Sequence, residues 1–294
     1  MACFHPLKAW QEVTSRQVFF YERNDSNAIL LPCGQCIGCR LERSRQWAVR
    51  CTHEAKLHSA NSFITLTYSP EHFPANGSLN YSHFQLFLKR LRRRIGKVRF
   101  YMAGEYGEDF LRPHFHALIF GYDFPDKKLF KQLSSGSMIY RSEFLESLWP
   151  YGFSSVGDCT FEAAAYVARY VMKKVTGRPS LSHYEVLDYD TGEITRRVPE
   201  FNKMSLKPGI GADWYAKYAS DVFPHDRVII NARKTKPPRY YDKLLDKSDP
   251  LLYEDIKYQR FLDSLNYLHD NTDARLHAKE IVTQARISQL KRTF

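Results

Sequence analysis

The 294-residue sequence has no run approaching the ~18 consecutive apolar residues that a membrane-spanning helix needs, so no membrane partner is expected. It has only six cysteines, too few for a disulfide scaffold in a chain of this length. No fixed-period repeat is visible, which excludes solenoids and propellers. Acidic residues are in deficit: 32 Asp and Glu against 43 Lys and Arg leave a formal charge of +11, which points to nucleic acid or another anionic partner. The first ten residues, through Trp10, lack the apolar stretch and small-residue cleavage site of a secretory signal, so a reducing cytoplasm is the expected compartment. At 44% hydrophobic, the composition provides enough apolar side chain for a sizeable core and excludes disorder as the main state.

Periodicity orders the middle of the chain. Residues 40–58 hold helix formers with no Gly or Pro and read as a helix. Phe63–Tyr68 is a β-branched and aromatic strand closed by Ser69-Pro70. In 81–95, Phe84, Leu88, Leu91 and Ile95 form one helical stripe. Residues 98–103 and 113–120 read as paired strands joined by a Gly-containing loop, 104–109. A short helix over 141–149, a strand over 152–156 and a helix over 161–175, capped by Thr160 and ended before Gly177, complete the order β, α, β, β, α, β, α. That order suits an α+β fold with an antiparallel sheet. The chain divides into an N-terminal arm with a Cys cluster (1–61), a core (62–176), a hairpin, loop and aromatic-basic extension (177–248) and a helical C-terminal segment (249–294) interrupted near Asp270.

Two patterns carry chemistry. His114 and His116 sit at i and i+2 of one strand, so both imidazoles leave the same sheet face ~7 Å apart at the backbone. They are either hydrogen-bonded core residues or metal ligands, and Glu105, on the loop entering the strand, can fold back to add a carboxylate; Glu108 and Asp109 are substitutes. Such a set leaves coordination positions open for a substrate oxygen and suits Zn²⁺, Mn²⁺, Fe²⁺ or, with phosphate oxygens, Mg²⁺. The second pattern is Tyr166, Tyr170 and Lys174 at i+4 spacing, with Lys173 at i+3 from Tyr170. Helical tyrosines are ordinarily amphipathic packing residues. Beside a metal and a lysine, a phenol whose ordinary pKa is about 10 becomes a nucleophile able to attack a phosphodiester.

Strand 63–68, the segment Gly104–Gly107 leading to Arg112-Pro-His-Phe-His116, and Tyr166-Val-Ala-Arg-Tyr-Val-Met-Lys-Lys174 resemble, in order, the three motifs of HUH endonucleases. They are most similar to the two-tyrosine rolling-circle replication initiators of microviruses, and the flanks 32–40, 207–211, 221–225 and 237–242 narrow the resemblance to the gokushovirus type. The resemblance implies an RRM- or ferredoxin-like HUH core, Mg²⁺ or Mn²⁺ on Glu105, His114 and His116, Tyr166 and Tyr170 as nucleophiles, and Lys173 or Lys174 assisting. It further implies nicking and rejoining of origin DNA through a 5′-phosphotyrosine, in the cytoplasm of an infected bacterium, with a host helicase and polymerase as partners.

Elsewhere, Lys89, Arg90, Arg92, Arg93 and Arg94 lead a seven-cation run ending at Arg99, either a solvated face or a phosphate-binding one; Arg112 is a further DNA-binding candidate. The aromatic-basic stretch from Trp214 to Tyr241 serves core packing or base stacking. Cys33, Cys36 and Cys39 have the spacing of a structural Zn²⁺ site, with a fourth ligand from Cys3, His5, Cys51 or His53 and Cys3 taken as the working choice; the alternative is reduced thiols without metal. Two rival functions remain open from the residues alone: a zinc hydrolase or lyase using the strand histidines, and a basic single-strand-binding or packaging protein.

Overall fold

The structure is a computed structural model describing residues 3–24, 26–107, 111–133, 136–169, 174–175, 177, 179–187 and 191–289. Among these, 3–43 with 248–289 form one compact unit and 44–247 another.

The first unit opens with strands β1 (Leu7–Glu12), β2 (Val18–Phe19) and β3 (Ser26–Leu31), an antiparallel sheet ordered β2-β1-β3. Sequence patterning predicts no strands here, and the burial explains why: Ala9 is the one fully buried strand residue, so no apolar alternation marks the sheet. Helix α1 (Ile37–Ala55) follows, beginning three residues before the expected start, with its first turns in this unit and the rest in the next.

The second unit is built on β4 (Asn61–Tyr68), α2 (Tyr81–Ile95), β5 (Arg99–Tyr106), β6 (Pro113–Phe120), β7 (Lys128–Gln132), β8 (Met138–Arg141), α3 (Glu143–Leu148), β9 (Gly152–Asp158) and α4 (Phe161–Arg169). Then come α5 (Pro179–His183), the hairpin β10 (Glu185–Leu187) and β11 (Ile194–Arg196), β12 (Phe201–Met204), α6 (Ala212–Val222), the hairpin β13 (Val228–Ile230) and β14 (Arg233–Thr235), and α7 (Arg239–Ser248). The chain returns to the first unit in α8 (Pro250–Leu265) and α9 (Asp273–Ser288), separated near Asp270 as expected. No helix among the described residues is long and apolar enough to cross a membrane.

Seven antiparallel strands form the central sheet in the order β12-β5-β6-β4-β9-β8-β7, which establishes the α+β class with a large antiparallel sheet. Strand alternation sorts its residues. Ile64, Leu66, Met102, Phe115, Ala117 and Ile119 face α2 and α3, packing with Phe84, Phe87, Leu88, Leu91, Leu145 and Leu148. Tyr101, Ala103, Leu118 and Phe120 face the other way, against Ala48 and Cys51 of α1 and Ala163, Ala164, Val167 and Ala168 of α4.

Strand β5 runs three residues past the expected end because Gly104 fits where another residue would not. A Cβ there would stand 3.1–3.2 Å from atoms of Phe201, Leu79 and Phe115. At the edge of the face carrying α1, buried Glu54 pairs with Arg99 and accepts the Gly211 N–H at 2.7 Å, anchoring the 207–211 loop. Trp214, Tyr215 and Tyr241 stack among themselves and, in the case of Trp214 and Tyr241, on His53; Tyr215 and Tyr241 are buried, so these rings serve packing.

Candidate metal centre and catalytic cleft

The site follows from strand register. Glu105 of β5 lies directly opposite His114 of β6, while Thr65 and Thr67 of β4 lie opposite His116 and His114, so three adjacent strands present these side chains on one face. Glu105 is therefore a strand residue, and the expectation of a loop folding back is corrected: Tyr106 still pairs with Pro113 beyond it. Fixed pairing positions the carboxylate better than a loop would.

One Glu105 oxygen, Oε1, lies 2.6 Å from His114 Nε2 and 3.0 Å from His116 Nε2. The far nitrogens are held too. His114 Nδ1 sits 3.0 Å from the Arg112 carbonyl, which can only accept, so Nδ1 carries the proton and Nε2 keeps a lone pair for a metal. His116 Nδ1 is 2.9 Å from Thr65 Oγ1. The donor set suits a divalent cation: two imidazole nitrogens and a carboxylate oxygen, all within 4.8 Å of one another. Their 2.6 and 3.0 Å separations approximate the ~3 Å edge of an octahedron with bonds of 2.0–2.1 Å. Burial alone would raise the Glu105 carboxyl, but hydrogen bonds and charge from His114 and His116 outweigh it and hold the group at about 2, so it is ionised at neutral pH.

The His116 ring is stacked on Phe63 (centroids 5.6 Å, 9°) and meets the edge of Tyr166 at 5.2 Å. Tyr166 projects from α4, where Ala163, Ala164, Val167 and Ala168 bury the opposite side of the helix. Tyr166, His114, His116 and Arg112 line one cleft of about 710 Å³, together with Thr67 and, on the far wall, Met138 of β8. Arg112 is also anchored by a bond from its guanidinium to the Tyr68 carbonyl at 3.1 Å. Lys174 is half-buried; Tyr170, Lys173, Glu108 and Asp109 lie outside the described residues.

The structure thus brings Glu105, His114, His116, Arg112 and Tyr166 together and leaves others apart. Lys89, Arg90, Arg92, Arg93 and Arg94 are on α2, which packs on the opposite sheet face; Arg90 donates to the Leu148 carbonyl and Arg92 to the Val98 carbonyl. Cys3, Cys33, Cys36 and Cys39 cluster in the first unit. Sequence reasoning misses Thr65 as the partner of His116, whose only signal is its place on the polar side of an alternating strand. It also misses the β7–β8 hairpin as a cleft wall, because β7 is exposed at every position and has no alternation to read.

Residues 61–175 match the family model of the replication-associated proteins of ORF2 type. The chain is 33% identical over 262 residues to replication-associated protein VP4 of Bdellovibrio phage phiMH2K, covering 85% of this chain and 79% of that one. It is 29% identical over 288 residues to replication-associated protein ORF2 of Spiroplasma virus 4, covering 88% and 86%. To replication-associated protein ORF4 of Chlamydia phage 1 it is 33% identical over 238 residues, covering 78% and 56%. No solved structure matches. With a replication-family match spanning the strands and helix that build the cleft, and relatives similar along most of the chain, this protein belongs to the replication-associated proteins of small phages, the rolling-circle replication initiators.

Proposed function

We propose that the chain is an HUH-type nickase and strand transferase that cuts and rejoins single-stranded DNA at the origin of a small circular phage genome. The observation that carries the reading is the convergence of Glu105, His114 and His116 beside Tyr166 in one cleft. In this reading 62–176 is the nuclease core, and the segments on either side serve origin recognition and partner contacts, a host helicase and polymerase among them.

Glu105, His114 and His116 hold Mg²⁺ or Mn²⁺, which supplies polarisation of the scissile phosphate when bound. The Tyr166 hydroxyl oxygen attacks phosphorus, its proton passing to a base or water. The P–O3′ bond breaks, and the departing oxygen takes a proton to become the 3′-hydroxyl that primes synthesis. The 5′ end remains on the tyrosine as a phosphodiester, so its bond energy is conserved and a later 3′-hydroxyl can displace the tyrosine and close the strand. Tyr170, one turn further, is the second nucleophile, and Lys173 or Lys174 stabilises the phenolate. Arg112, tied in the cleft mouth, contacts the phosphate backbone.

The test is incubation with origin-containing single-stranded DNA and Mn²⁺ or Mg²⁺, followed by denaturing electrophoresis. A DNA–protein adduct that survives SDS is expected with the wild-type chain and absent from the Tyr166→Phe, Tyr170→Phe double variant. Tight DNA binding with no adduct would favour a binding or packaging protein, and adduct formation by the double variant would remove the tyrosines from the mechanism.

A further inference from the structure

We propose that Cys3, Cys33, Cys36 and Cys39 bind one Zn²⁺ as a tetrathiolate that holds the small N-terminal sheet to the start of α1. The four sulfurs come from three places in the chain: ahead of β1, the turn between β3 and α1, and the first turn of α1. Their Sγ atoms all lie within 4.8 Å of one another, with Cys3 and Cys36 3.9 Å apart. A tetrahedron with 2.3 Å Zn–S bonds has edges of about 3.8 Å.

The surroundings suit thiolates. The Cys33 N–H donates to Cys3 Sγ (3.2 Å), the Cys36 N–H to Cys33 Sγ (3.3 Å) and the Phe4 N–H to Cys36 Sγ (3.4 Å). Cys36 and Cys39 stand at the positive N-terminal end of α1, where negative charge is favoured. The other residues that sequence spacing allowed as a fourth ligand are engaged elsewhere. His5 meets Glu280 at 2.7 Å, His53 meets the Tyr241 hydroxyl at 2.8 Å, and Cys51 is buried among apolar residues of the central sheet.

A second, independent observation shows what the ion does. Among the described residues of this unit the buried hydrophobic side chains are Cys3, Ala9, Ile256 and Leu276. Such a core falls far short of what a free-standing unit needs, and in small folds a structural metal fills that role.

The experiment is metal analysis of the full-length chain purified under reducing conditions without added metal. One Zn²⁺ per chain is expected, unchanged by His114→Gln with His116→Gln and lost in Cys36→Ser. Replacement by Co²⁺ should give the absorption of tetrahedral thiolate-bound cobalt. Because the Cys variant can misfold, the wild-type chain is also titrated with an organomercurial and a colorimetric zinc indicator; about four thiols should react for each ion released. Zinc that follows the histidines, no zinc release, a Cys3–Cys36 disulfide in the reduced preparation, or a sulfide-containing iron chromophore would each overturn the proposal.

Discussion

The two faces of the central sheet are made by the same three strands and do opposite work. On one, Ile64, Leu66, Met102 and Phe115 meet α2 and α3 in a continuous apolar layer. On the other, alternate residues of those strands, Thr65, Glu105, His114 and His116, are polar, and α4 covers them with small alanines on one side and Tyr166 toward the cleft. The difference shows how a buried charged cluster is carried: one face supplies the burial that stabilises the unit, and the other is freed to devote its positions to chemistry. Polar groups on the second face then divide by what surrounds them. Glu105 is held ionised by two histidines, whereas His53 of α1, with a single hydroxyl partner on Nδ1, is held neutral.

The sharpest contrast lies within β6. Replacing His114 and His116 by Gln should lower cleavage by at least about 10³-fold, since a lost metal removes several kcal/mol of transition-state stabilisation at ~1.4 kcal/mol per tenfold. The unfolding midpoint should change little. Phe115→Ala, between them but on the other face, should do the reverse: the unit loses about 3–5 kcal/mol in denaturant titration, and the molecules that remain folded cleave normally. Thr65→Val keeps the shape but removes the partner of His116 Nδ1; the metal concentration for half-maximal cleavage should rise about 10–100-fold, with restoration at saturating metal.

The smallest expected effect concerns pH. Burial, aided by Lys56, pushes the His53 pKa down to about 3, below the ordinary ~6.5 of an unfolded histidine. Between these values the unfolded chain binds a proton that the folded chain does not. This group's contribution is therefore complete above about pH 6.5 and declines as pH falls toward 3, by up to ~1.4 kcal/mol per unit. Denaturant midpoints measured across that range should fall less steeply for His53→Gln than for wild type; an identical slope would show that His53 is not held neutral.

Much of this is legible in the sequence because periodicity survives wherever one face is buried. β4, β6, α2 and β9 stand within a few residues of where alternation places them. Alternation misplaces Glu105 because Gly104 reads as a loop residue, while in the fold it is the strand position over which Phe201 and Phe115 pack. β12 is four residues long and is recruited by the edge of β5, a non-local event with no local signature. The histidines and the tyrosine are legible through spacing, but Thr65 becomes a site residue only through its register with His116.

The most direct test of the central claim is where the DNA becomes attached. Protease digestion of the denaturation-resistant adduct, trimming of the DNA and peptide mass spectrometry should find a nucleotide phosphate on Tyr166 or Tyr170. Attachment at any other residue, or a cleaved strand with no protein-linked 5′ end, would contradict the account.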